Sequence, residues 1–198
     1  MYPLQTTTAR IYACHELRDR AAESLGITEP SDEQISYERL LDTLGLDDAL
    51  LFCRAEPEMA PIWRRYAVWC ARQVQNLMTD QRSLSALDVA ERHANGQATD
   101  EELAAAMAAA WAAADAAWAA AAAAKPAAWA AWAAAWAAAD AADAADAARA
   151  AAAAKAAAGA AHAGAADDVW AAADAAKADA RRHQSDAFRQ LVTTGILP

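Results

Sequence analysis

Apolar positions along the first hundred residues recur at intervals of three and four, and no segment sustains alternation at two, so the chain reads as helical throughout. Thr6–Thr8 precede a helical run through Ile11, Tyr12, His15 and Ala22 that should end near Gly26. Ser31 with Gln34 spells a capping box, in which two side chains satisfy two free backbone N–H groups reciprocally. Ile35, Leu40, Leu41 and Leu44 follow at helical spacing up to Gly45. A shorter segment from Leu46 to Arg54 stops before Pro57. From Pro61 to Met78 a strong amphipathic run lines up Ile62, Tyr66, Trp69, Gln73 and Leu77. Another helix covers about 83–94, through Leu84, Leu87, Ala90 and Glu91, and Asn95–Gly96 supplies its stop signal. Residues 1–97 thus predict a compact cluster of about five short helices.

The pattern changes at residue 98. Thr99 and Glu102 form a second capping box, with Asp100 and Glu101 suited to the positive end of a helix. Between 104 and 180, 53 of 77 residues are alanine, which leaves the other positions to carry any pattern. Apart from Pro126, the non-alanine positions from 107 to 143 are 107, 111, 115, 118, 125, 129, 132, 136, 140 and 143. These steps of three and four, with one of seven, average close to 11/3 residues per turn, a single stripe with a right-handed drift. On a continuous helix Trp111, Trp118, Trp129 and Trp136 fall within roughly 20° of one another. Pro126 removes a backbone donor and should break the helix near Lys125, and Gly159 with Gly164 makes a second break. Asp167 or Asp168 is expected to cap the last helix, which carries Trp170, Asp174, Lys177 and Arg181 and ends near Thr193–Gly195. Residues 98–198 therefore predict about three long alanine-rich helices, of about 26, 32 and 25 residues, with high intrinsic propensity. Alanine faces allow close approach, so an antiparallel stack or bundle is expected. The fold class is all-α.

Composition qualifies the core. The 57% apolar content is mostly alanine, which buries little area, and eight tryptophans supply the bulk that alanine lacks. The net charge of −10 is shared between the halves: residues 1–98 hold 10 Arg against 15 acids, and residues 99–198 hold 7 basic residues against 12 acids. Neither half offers a basic field for a phosphate backbone, and the one local basic cluster is Arg181, Arg182 and Arg189. Direct nucleic-acid binding is not expected. An acidic chain is suited to a basic protein surface, including one that normally holds nucleic acid, although acidity also keeps an alanine-rich chain soluble. Arg10, Arg18 and Arg20 interrupt any signal-peptide core, and the alanine tract is interrupted by Asp115 and Lys125, so a cytoplasmic protein with no membrane span is expected.

Candidate chemistry is sparse. Cys14, Cys53 and Cys70 form no paired motif, so neither a disulfide framework nor a zinc site is expected. Cys14, His15 and Glu16 include nucleophile, base and acid types, but neighbours on a helix point about 100° apart and do not converge. His93 sits beside a helix C-terminus, where a cationic ring suits the dipole. His162 and His183 lack a second ligand one turn away. Asp47–Asp48 and Asp167–Asp168 read as helix-start residues. No glycine-rich phosphate loop and no hydrolase or zincin motif is present. We expect no enzyme, no cofactor and no metal.

The unusual feature is the stripe: Trp111, Asp115, Trp118, Trp129, Trp132, Trp136, Asp140 and Asp143. A buried seam does not readily hold Trp and Asp one turn apart. One reading is an exposed Trp-and-acid ridge that docks a partner, since Trp is enriched at binding hot spots. The other is that the indoles form the core that alanine cannot, with acids at the rim. A third is a low-complexity repeat with no role tied to any one residue.

Residues 66–106, YAVWCARQVQNLMTDQRSLSALDVAERHANGQATDEELAAA, followed by Trp-studded alanine, carry a resemblance. The Cys70–Ala71–Arg72 helix, the Ala86–Arg92 helix, His93–Ala94–Asn95–Gly96 and the Ala98–Leu103 cap resemble alanine- and tryptophan-rich helical bacterial and phage proteins described as immunity-protein-like. The likeness spans residues 66 to about 190. It implies an all-helical stack of bacterial or phage origin and supplies no catalytic residues. The expectation is a non-enzymatic protein-binding accessory protein of immunity or anti-defence type, such as an antitoxin or anti-CRISPR. The alternatives are a structural, self-associating spacer and, more remotely, an ice-binding helix, which would need the regular threonines this stripe lacks.

Overall fold

The computed structural model describes residues 2–15, 17–121 and 169–198, together with helical positions 133, 136, 137, 153, 156 and 157. For 117–121 and 169–173 the description is of the backbone alone. The described chain is mostly helical. It forms two compact units: Met1–Ala60 with Ser185–Pro198, and Pro61–Gln184. The composition change at residue 98 falls inside the second.

In the first unit two three-residue strands, β1 (Gln5–Thr7) and β2 (Gln34–Ser36), pair antiparallel with Thr6 opposite Ile35. Each strand runs directly into a helix, α1 (Thr8–Ala13) and α3 (Tyr37–Leu44), and each hands over through a hydroxyl cap. Thr7 accepts from the Arg10 N–H and Ser36 from the Arg39 N–H, satisfying donors that have no partner within the helix. A second helix follows in each case, α2 (Arg18–Leu25) and α4 (Leu46–Phe52). The two strand–helix–helix segments match at an offset of twenty-nine residues. Thr6 and Ile35, Thr8 and Tyr37, Ile11 and Leu40, Leu17 and Leu46, and Ala21 and Leu50 are buried at both members of each pair.

Two sequence expectations are corrected here. Ser31 and Gln34 do not start a helix. Ser31 instead lies against α1, exchanging hydrogen bonds with the buried Thr8 hydroxyl while its carbonyl accepts from the Ala9 N–H at 2.9 Å. The loop thus satisfies the α1 N-terminus, and Ser36 is the true cap of α3. The expected single run from Ile11 to Ala22 is two helices, because the chain turns extended at Cys14 and brings Leu17 into the core before α2 begins. Gly26 closes α2 in the left-handed region that glycine alone enters without strain.

Short 3₁₀ turns at Cys53–Ala55 and Pro57–Met59 complete this part of the chain. Ser185–Pro198 belongs to the same unit. Phe188 is fully buried and meets Tyr37 edge to face, with ring centroids 6.3 Å apart. Leu4 donates to the Val192 carbonyl at 2.7 Å, and Arg189 reaches Glu38 and Asp42 of α3 at 3.1 and 2.5 Å.

The second unit contains α5 (Ala60–Arg72), a 3₁₀ turn at Gln75–Leu77, α6 (Gln81–Ala94) and α7 (Asp100–Ala121). The last helix, α8 (Val169–Thr194), contributes its residues up to Gln184. The face of α5 differs from expectation. Of Ile62, Tyr66, Trp69, Gln73 and Leu77 only Tyr66 is buried, because the helix ends at Arg72 and the fully buried Trp63 sets its orientation with Tyr66, Cys70 and Ala71. Asp80 caps α6 through the Arg82 N–H at 2.8 Å. The capping box of α7 forms as its sequence predicts: Thr99 Oγ1 accepts from the Glu102 N–H at 3.2 Å, and Glu102 accepts from the Thr99 N–H at 2.8 Å. Arg72 ties α5 to Asp88 and Glu91 of α6, and the Tyr66 hydroxyl donates to the Gln184 carbonyl of α8 at 3.0 Å. Among the described residues no helix is long and apolar enough to cross a membrane. The breaks expected at Pro126 and Gly159–Gly164, and the cap at Asp167 or Asp168, lie outside the described residues.

Candidate functional site

The helix α7 shows which of its faces the protein spends on its interior. Leu103, Ala110, Ala113 and Ala114 are buried. At 100° per residue, Leu103, Ala110 and Ala114 lie within about 40° of one another. Trp111 stands about 80° round the helix from Leu103, and Asp115 about 120°. The buried face of α7 is therefore lined mostly by alanine, and Trp111 and Asp115 stand to one side of it. Small side chains explain the choice, since helix axes approach more closely where the contact residues are small. Ala86 of α6 and Ala110 of α7 are both fully buried, with Ala106 and Trp111 packed against them.

Trp111 is half-buried, and so is Trp136. The two indoles meet edge to face with centroids 4.5 Å apart and planes at 84°. The same division recurs around Trp136, which is flanked by buried Ala133 and Ala137. Asp115 is exposed, and no cation pairs with it among the described residues. Trp118 is helical in backbone; its side chain, and Trp129, Trp132, Asp140 and Asp143, lie outside the described residues.

The described cations are largely taken up by carboxylates. Arg10 binds Glu56 and Glu58, Arg20 binds Asp48, Arg82 binds Asp80 and Arg92 faces Glu102. The basic cluster of α8 is dispersed in the same way, with Arg182 on Asp179 and Arg189 on Glu38 and Asp42. The Arg189 guanidinium donates to Asp42 and holds its carboxyl below the ordinary range; Arg10 does the same for Glu58. The carboxylates left without a cation among the described residues include Glu29, Asp32 and Glu33 on one exposed loop, and Asp115.

Cys14 and His15 are adjacent where α1 ends. They line a cleft of about 400 Å³ with Arg10, Leu51 and Arg54. Arg10 and Arg54 carried no sequence signal for this, because they lie forty-four residues apart in the chain. Among the described residues no hydrogen bond joins the Cys14 thiol to His15, so a nucleophile–base pair is not assembled. Glu16 lies outside the described residues. Cys53 and Cys70 are fully buried; burial drives the Cys53 thiol up and pushes Cys70 to about 12. Asp47 and Asp48 occupy the first turn of α4, where the helix dipole favours them. His183 is exposed on α8, and His162 lies outside the described residues. No cluster of three metal-ligating side chains occurs among the described residues.

Comparison with known protein families, curated proteins and solved structures finds no match to this chain.

Proposed function

We propose that this is a non-enzymatic, acidic helical protein that docks a partner protein bearing a basic surface, along the tryptophan–aspartate edge of its alanine-rich helices. The observation that carries the reading is the burial pattern of α7. Leu103, Ala110, Ala113 and Ala114 turn inward, while Trp111 is half-buried beside them and Asp115 is exposed. A half-buried indole one turn from a carboxylate that meets no cation among the described residues combines an anchoring aromatic with a steering charge.

In this reading the alanine-rich segment is an antiparallel stack following the N-terminal helical cluster, supported by the burial of Ala133, Ala137 and Ala157. The immunity or anti-defence class rests on the resemblance of the sequence over residues 66 to about 190, which no matched family supports, and on the acidity, which suits a basic effector whose natural ligand is nucleic acid. A cytoplasmic location follows from that role. The self-associating spacer is less well supported, because Ala110, Ala113, Ala114, Ala133, Ala137 and Ala157 are already buried within one chain.

The test is direct titration of the purified chain with the basic protein it retains in the cells that make it. Asp115→Arg and Trp118→Ala should each weaken a saturable complex at least fivefold while helicity by circular dichroism is unchanged. Equal affinity for both variants would show that the stripe is not the interface.

A further inference from the structure

Within the second unit a histidine is held between opposite charges from two other helices. His93 lies in the last turn of α6 with 17% of its side chain exposed. Its Nδ1 stands 2.9 Å from Nη1 of Arg64, a buried residue of α5, and its Nε2 stands 2.7 Å from Oδ1 of Asp100, the first residue of α7.

The chemistry fixes the roles. A guanidinium has only N–H donors and an ionised carboxylate only accepts. Nδ1 must therefore accept from Arg64, and Nε2 must carry the hydrogen and donate to Asp100. The ring is the neutral Nε2–H tautomer, and it passes a single hydrogen-bonded chain from α5 through α6 to the start of α7.

We propose that Arg64, His93 and Asp100 form a proton-sensitive latch that joins α5, α6 and the N-terminus of α7. A proton added at Nδ1 takes the lone pair that Arg64 uses and sets an imidazolium N–H against a guanidinium N–H. That breaks the α5 bond. The Asp100 bond survives and becomes charge-assisted. Protonation thus separates α5 from α6 at this point while leaving α6 tied to α7.

The charged groups that face the ring are Arg64 from α5 and Asp100 from α7. On its own helix Arg92 faces Glu102 of α7, and Glu91 is engaged by Arg72 of α5. Glu101, in the same first turn of α7, has its carboxyl held below the ordinary range by hydrogen bonds from its own backbone N–H and from Thr99, so its titration falls in a more acidic window than that of an imidazole. The latch is independent of the partner-docking reading, because it concerns three residues within one unit and needs no ligand.

The experiment is nitrogen-15 NMR of the full chain, followed from about pH 8 to about pH 5, the range in which histidines change charge. At the alkaline end Nδ1 should give the shift of an unprotonated acceptor and Nε2 that of a protonated donor. On acidification the Arg64 side-chain signal should move with the ring, at the same midpoint. Two variants keep the test decisive. His93→Gln can accept from Arg64 and donate to Asp100 but does not titrate, and it should abolish the Arg64 transition. Asp100→Asn removes an exposed counter-charge without threatening the fold, and it should shift the ring midpoint to lower pH. A protonated Nδ1 at pH 8, an Arg64 signal that ignores the ring, or a midpoint unchanged in Asp100→Asn would each overturn the latch.

Discussion

Phe188→Ala tests whether the C-terminal residues are an integral part of the core of the first unit. Phe188 is fully buried and sets its ring edge to face with Tyr37 at 6.3 Å. Leu191 and Val192, one turn on, are also fully buried. Truncating a buried phenylalanine removes its transfer free energy and leaves a cavity that collapses only partly, at a cost of about 3–5 kcal/mol. The edge-to-face contact is already contained in that figure. Two backbone hydrogen bonds next to the site report it directly: Leu4 N–H to the Val192 carbonyl at 2.7 Å, and Tyr37 N–H to the Leu4 carbonyl at 3.1 Å. If these amides exchange only when the unit opens, their protection should fall by roughly two to four powers of ten, since each 1.4 kcal/mol is tenfold. The assay is hydrogen exchange followed by NMR at those two positions. The eight tryptophans all lie between residues 63 and 170, so indole fluorescence provides a separate readout of the second unit. A loss of protection below tenfold at both amides would refute the reasoning, because it would mean that the Phe188 ring contributes less than about 1.4 kcal/mol beyond alanine.

Thr99→Ala should remove one of the two reciprocal bonds at the start of α7 and cost about 1 kcal/mol in urea unfolding; an unchanged midpoint would show that the cap is not formed in solution. Arg189 and Arg10 lower the carboxyl pKa of Asp42 and Glu58 in the folded chain, and Arg82 does so for Asp80. The unfolded chain therefore binds more protons in the acid range. Stability should be fully present above the ordinary carboxylate values and fall as pH drops through and below them, and Asp42→Asn should flatten that fall in a urea series from about pH 6 to about pH 3. Alkylation of the native chain should modify Cys14 alone, with Cys53 and Cys70 reacting only on unfolding. Mass spectrometry showing two or three adducts under native conditions would contradict their burial.

What the sequence disclosed and what it withheld divide along a physical line. Signals confined to one turn of chain were legible. Thr99 with Glu102, and the glycines at 26, 45, 96 and 195, mark boundaries because a cap or a positive φ is decided by neighbouring residues. The strands were not legible, since three residues are too few to show a period of two, and their pairing brings Thr7 against Gln34. The Ser31 hydroxyl misled for a related reason. A cap motif also serves to bind another segment, and Thr8 claims it. Helix faces were legible only to within a turn: α5 presents Trp63 rather than Ile62 to the interior. Contacts between distant segments left no local trace. Arg189 with Glu38, Arg64 with His93, and Trp111 with Trp136 each depend on where the chain turns back. The stripe itself was visible from spacing. That Trp111 and Asp115 stand to one side of a buried face of α7 was not, because spacing shows which residues share a face and not which face is turned inward.

The docking claim rests on that edge, and hydrogen exchange of the chain with and without its basic partner tests it most directly. The account predicts slowed exchange on binding along α7 from Met107 to Trp118, with a complex that weakens as salt is raised. Protection confined to other elements, or a complex indifferent to salt, would contradict it.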